Sequence, residues 1–160
     1  MIIIKTHIIN LKQLIISIAI PLAVGGLSAL LTMGSMDKFE QIAKPPLSPP
    51  GILFPIVWTI LYTLMGIVSY IVYRSNSPYK LYALIFYVAQ LAVNFIWSPV
   101  FFNLEAYLLA FFCILVLLVL VIITTVMFYR IDKVAGILMI PYCIWVAFAT
   151  YLNFGIYLLN

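Results

Sequence analysis

Apolar residues run almost unbroken along this chain, and the interruptions carry the information. Five segments, Gln13–Met36, Pro45–Tyr73, Leu81–Leu104, Ala106–Tyr129 and Val134–Asn160, contain no Asp, Glu, Lys or Arg. Each exceeds the roughly 20 residues of apolar helix that cross a bilayer. None shows the strict apolar/polar alternation of a barrel strand. The pattern predicts an all-α integral membrane protein, a bundle of five transmembrane helices at about 14–32, 55–73, 79–102, 106–129 and 134–157. A loop over about 33–54 joins the first two.

Composition agrees with that reading. Of 160 residues, 67% are hydrophobic and 8% charged, against roughly 45–50% and about 25% in soluble domains. So little polar surface cannot cover a soluble core, and the length suits one membrane domain over residues 1–160. Lys5 and Lys12 could form the basic start of a signal peptide, but the apolar run Leu14–Leu31 exceeds the usual length and no A-x-A-like site follows. A retained first helix is expected. Lys5, Lys12, Arg74, Lys80, Arg130 and Lys133 share one side of a five-span topology, and only Lys38 and Lys44 lie on the other. That bias predicts a cytoplasmic N-terminus and an outer C-terminus. The net charge of +4 is therefore a topology signal, and no basic cluster with interleaved aromatics suggests a nucleic-acid partner.

Much conventional chemistry is excluded. Ionisable residues inside a membrane mark proton relays and ion paths, and these spans contain no Asp, Glu, Lys or Arg. His7 is the only histidine and precedes the first span, so no metal site or axial haem ligand is expected. Cys113 and Cys143 fall at different depths and read as small packing residues. No nucleophile–His–acid set, P-loop or dinucleotide turn occurs, so neither catalytic residues nor an obligatory cofactor are predicted.

What remains is polar and aromatic residues within the spans. Gln90, Asn94, Trp97 and Phe101 are spaced 4, 3 and 4, which puts them on one helix face. Amides are costly against lipid, so this face turns inward. It either glues helices together or supplies the few polar groups of a ligand pocket. Trp58, Tyr62, Met65 and Ser69 repeat the spacing on the second span, with an interfacial aromatic belt the alternative for Trp58. Tyr142, Trp145, Ala149, Leu152 and Asn153 share a broad face of the fifth. Pro21, Pro99 and Pro141 each remove an intrahelical hydrogen bond and are expected to bend their helices, leaving gaps.

Five of the nine prolines, Pro45, Pro46, Pro49, Pro50 and Pro55, crowd the end of the first loop. Each fixes φ near −65° and biases its predecessor to extended backbone. The segment therefore reads as a stiff, extended lid, with Gly51 permitting a turn and Pro55 starting the second span. A spacer is the plainer alternative, but neighbouring helices usually connect in 2–8 residues.

Three blocks together resemble a known family. They are "KPPLSPPGILFPIVWTILY", "QLAVNFIWSPVFF" and "DKVAGILMIPYCIWVAFATYLNFGI". Their order and spacing, K-P-x-x-x-P-P-G, V-W-x-x-L-Y, Q-x-x-x-N-x-x-W-S-x-x-F-F and P-Y-x-x-W-x-x-F-A-x-x-L-N, are similar to the tryptophan-rich sensory protein/translocator protein (TspO) family, also called peripheral-type benzodiazepine receptors. The resemblance covers nearly the whole chain.

It implies a five-helix bundle, commonly a homodimer, with a ligand cavity beneath the first loop. It also implies a membrane receptor or sensor that binds porphyrins such as protoporphyrin IX and haem, or other planar lipophilic small molecules, as ligands rather than cofactors, and that could transport them. On this analogy the ligand-binding set is Trp58, Tyr62, Gln90, Asn94, Trp97, Phe101, Tyr142, Trp145, Ala149 and Leu152, with Phe39, Lys44, Pro45 and Pro46 in the lid. Some bacterial members are assigned light- and oxygen-dependent porphyrin breakdown, which would give Trp58 and Trp145 a part in the chemistry. A membrane protein without a specific ligand is the remaining alternative. Lys38 and Lys44 could meet porphyrin propionates. Two departures stand out. Leu47 replaces the tryptophan usual after K-P, and no basic residue follows Tyr157 to complete a sterol motif.

Overall fold

The computed structural model describes residues 9–160, which leaves Lys5 and His7 outside the described residues. It contains α1 (Leu11–Thr32), α2 (Met36–Gln41), α3 (Leu53–Arg74), α4 (Lys80–Phe102), α5 (Tyr107–Ile131) and α6 (Lys133–Leu159), with no strand among the described residues. All but α2 are long and apolar enough to cross a membrane.

Local chemistry sets the helix ends. The Asn10 side chain accepts the Gln13 N–H at 3.1 Å, so α1 starts at Leu11, ahead of the residue 14 expected from the apolar run. Asp132 separates α5 from α6 and caps the latter by accepting Ala135 N–H at 3.0 Å. Gly136 lets that corner close, because a Cβ there would overlap Tyr129. Pro55 lies within the first turn of α3 rather than at its start, where its missing N–H would have had no helical partner anyway. Pro21, Pro99 and Pro141 sit inside α1, α4 and α6, which remain continuous through them.

Helix contacts close a ring in the order α1, α3, α6, α5, α4, with α1 against both α3 and α4. Interior faces carry Met65, Val68, Leu117, Val121, Met139 and Val146, all almost fully buried. Outward faces carry exposed aliphatics such as Ile85, Val116, Val119 and Ile144. In water these would be a liability, whereas lipid chains are as apolar as leucine and cost them nothing. The α1–α3 seam is tight from Ile18 to Gly25. A Cβ on Gly66 would strike the Ile18 backbone, and one on Gly25 the Tyr62 ring.

The first loop opens with a 3-10 turn over Met33–Ser35 that leads into α2, and the backbone is extended at Ile42. The proline segment is not extended throughout, because it turns at Pro46–Leu47, where Ser48 N–H donates to the Pro45 carbonyl at 3.4 Å. The prolines begin at Pro45, so nothing in Met36–Gln41 opposes a helical turn, and Asp37 favours its N-terminus. Gly51 lies, as expected, in the turn that leads into α3. No described glycine has positive φ, and the left-handed residue of the loop is Leu47 at φ 68°.

Candidate functional site

Beneath the lid, in the half of the bundle where α1 ends and α3 begins, lies a cavity of about 400 Å³. Such a volume is within the range of small-molecule sites. Its walls come from α1, α3, α4 and α6, and α5 contributes nothing. The chain's three tryptophans, Trp58, Trp97 and Trp145, all line it.

Each wall follows from the helix that carries it. On α3, Trp58 and Tyr62 stack with ring centroids 5.4 Å apart. On α4, Trp97 and Phe101 stack at 5.3 Å, and on α6 Trp145, Ala149 and Leu152 complete the wall. Trp97 is fixed edge-on, because its Nε1 donates to Asn153 Oδ1 at 3.0 Å while Asn153 Nδ2 donates to the Tyr107 carbonyl at 2.9 Å. Trp145 has no such tether. Its Nε1 is buried and has no hydrogen-bond partner among the described residues, a state that ordinarily costs about 1–3 kcal/mol. With its N–H turned into the packing, Trp145 offers the cavity apolar ring surface rather than a donor.

Gln90, Asn94 and Tyr142 do not line the cavity. They form a buried layer deeper in the bundle. The Tyr142 hydroxyl donates to Gln90 Oε1 at 2.6 Å and accepts from Asn94 Nδ2 at 3.1 Å. Gln90 Nε2 also approaches Met65 Sδ at 3.6 Å. The inward amide face of α4 therefore divides by depth, with its inner half bonded to protein and its outer half, Trp97 and Phe101, open to the cavity.

α1 was not among the expected walls, yet Gly25, Ser28, Ala29 and Thr32 line one side. Their signal was present in the sequence as a run of small residues on one face, which also suits plain helix packing. The lid closes the end of the cavity beyond α1. Phe39 is buried among Phe54, Phe101 and Phe102, with centroids 6.0, 6.0 and 5.2 Å away. Phe54 continues that aromatic chain to Trp145 at 5.9 Å.

Of the lid basics, Lys44 lines the cavity, donating to the Glu40 carbonyl at 3.0 Å with its ammonium 4.8 Å from the Phe39 ring centre. Lys38 does not line it and pairs with Glu105 at 3.0 Å. Pro45 and Pro46 act from outside the walls. Pro45 packs on Gly155, and the Pro46 carbonyl accepts the Tyr151 hydroxyl at 2.8 Å. Leu47 is 82% exposed and takes no part in the cavity. Among the described residues no cluster of His, Cys, Asp and Glu could hold a metal.

Comparison with known proteins gives this architecture a family. The TspO/MBR family profile matches residues 17–159. The chain is 38% identical to the tryptophan-rich protein TspO of Archaeoglobus fulgidus over 152 residues, 94% of this chain and 99% of that protein. It is 38% identical to the tryptophan-rich sensory protein of Cereibacter sphaeroides, with 81% of this chain and 83% of that protein covered. The human translocator protein is 33% identical, with 74% and 72% covered. With its five membrane-length helices, this chain is an integral, multi-pass membrane protein of the TspO/MBR family.

Proposed function

We propose that the protein is a membrane receptor or sensor that binds porphyrins and similar planar lipophiles in the lidded cavity. The observation that carries this reading is the convergence of all three tryptophans on one chamber of about 400 Å³. A flat, extended π-system gains both area burial and favourable stacking against such walls. Lys44 at the rim suits a propionate. The sensory role named for the Cereibacter sphaeroides relative is in keeping with this reading. The described cavity walls contain no histidine, which favours free-base protoporphyrin IX over axially ligated haem.

The same proposal takes the lidded end to face outward, since Lys12, Arg74, Lys80, Arg130 and Lys133 gather at the opposite end. Homodimerisation, implied by the family resemblance, belongs with it. The test is a dark titration of the protein in lipid nanodiscs with protoporphyrin IX, following its Soret band. A saturable shift absent from empty nanodiscs supports the reading, and partitioning identical to empty nanodiscs refutes it. Illumination in air after saturation distinguishes a receptor, which keeps its ligand, from an enzyme, which converts it.

A further inference from the structure

The cavity wall is incomplete on one side. Along α1 the line facing α3 is Ile18, Leu22, Gly25 and Ala29, spaced 4, 3 and 4. The seam is tight at Ile18 against Gly66 and at Gly25 against Tyr62. One turn further out the helices part. Ala29 and Met33 on α1, and Pro55 and Thr59 on α3, line the cavity and are nonetheless exposed at the surface. A side chain on neighbouring Gly26 would meet nothing within 4 Å. This gap opens between the membrane-length helices α1 and α3 near their lidded ends, and so toward lipid. Its lips suit such a medium, because the Thr59 hydroxyl is satisfied internally by the Pro55 carbonyl at 2.7 Å.

The lid, by contrast, is fastened on its other flanks. Asn160 brackets Ala43, accepting its N–H at 3.1 Å and donating to its carbonyl at 2.9 Å. Tyr151 holds Pro46, and Pro45 seats on Gly155. At the opposite flank Ser35 donates to Asn103 at 2.8 Å and Lys38 pairs with Glu105. Lifting the lid would break all of these together, whereas passage between α1 and α3 breaks none.

We propose that the gap bounded by Ala29, Met33, Pro55 and Thr59 is a lateral portal through which ligand enters from the bilayer while the lid stays fastened. The proposal rests on the ligand-binding reading above and adds its source: a lipophile already dissolved in the membrane, taken up edge-on. An obstruction in a portal raises one barrier crossed in both directions, so it slows association and dissociation alike.

The experiment compares two changes in nanodiscs, following tryptophan quenching by protoporphyrin IX in a stopped-flow instrument. Ala29→Phe and Thr59→Phe narrow the portal. A short bismaleimide link between Ala43→Cys and Asn160→Cys, in a Cys113→Ser/Cys143→Ser background, fastens the lid permanently. The portal predicts at least fivefold slower association and dissociation for the narrowed variants and rates within twofold of the unlinked protein after cross-linking. Slowing by the cross-link that equals or exceeds that of the narrowed variants overturns it. A second measurement stands apart from porphyrin binding. Nanodiscs made with brominated acyl chains quench indoles they can reach, and Ala29→Phe should reduce that quenching by at least a third. If protoporphyrin IX fails to bind but this reduction is seen, the ligand assignment fails and the portal survives. Unchanged bromine quenching overturns the portal itself.

Discussion

Pro45 rests on Gly155: a Cβ added at Gly155 would lie 2.5 Å from Pro45 Cβ and 2.6 Å from Pro45 Cγ. The proline ring is rigid and cannot swing aside as a flexible side chain would. Gly155→Ala is therefore expected to act in opposite directions on two observables. Alanine in a helix interior gains about 1 kcal/mol over glycine, so the bundle should unfold no more easily. The lid, however, must shift, and protoporphyrin IX should bind about tenfold more weakly, near 1.4 kcal/mol. Thermal unfolding and the titration on the same preparation check both signs.

Tyr142 bridges Gln90 and Asn94 outside the cavity. Tyr142→Phe leaves both amides short of a partner in a dry interior, and about 1–2 kcal/mol of stability should be lost. Asn94→Ala should cost a similar amount. Ligand affinity should change less than threefold in either. Denaturation in detergent alongside ligand titration separates this from an amide that touches ligand, for which affinity would fall first.

Trp97 and Trp145 provide a contrast between a paired and an unpaired indole. Trp97→Phe deletes the bond to Asn153 and should destabilise by about 1 kcal/mol or more. Trp145→Phe removes an N–H with no partner among the described residues, so no hydrogen bond is lost, relief of the unsatisfied donor offsets the lost indole packing, and stability should stay within about 1 kcal/mol. Affinity should nevertheless drop several-fold, on the order of 1 kcal/mol, as indole stacking area against the ligand disappears. Equal stability losses in the two variants would contradict the assignment.

Leu47 holds φ at 68°, a region that costs a leucine roughly 1–2 kcal/mol and that asparagine tolerates better. Leu47→Asn should stabilise the loop by up to about 1 kcal/mol, read as slower proteolysis between α2 and α3. Because Leu47 points away from the cavity, affinity should stay within twofold.

These residues also show what sequence could and could not reveal. The long helices were legible because in lipid an apolar run has only helix or barrel available, and period-two alternation was absent. Their ends were less so, since Asn10 and Asp132 extend α1 and α6 by capping, which hydrophobicity does not record. Spacing put Gln90, Asn94, Trp97 and Phe101 on one face correctly, but a face has no depth coordinate. Only the fold shows that Tyr142 comes level with the amides while Asn153 comes level with Trp97. α2 was missed because six residues between two turns make no periodic signal. The α1 wall was missed because glycine, serine and alanine look alike whether they admit a helix or a ligand.

The central claim is that ligand occupies the chamber shared by Trp58, Trp97 and Trp145, and these are all the tryptophans in the chain. The most direct measurement is therefore a dark titration of the wild-type protein in nanodiscs with protoporphyrin IX, following total tryptophan emission. Every emitter lies against the site, so the account predicts near-complete quenching along a single saturable curve with one equivalent bound per chain. Partial quenching that rises linearly with porphyrin, as partitioning into lipid would give, would contradict it.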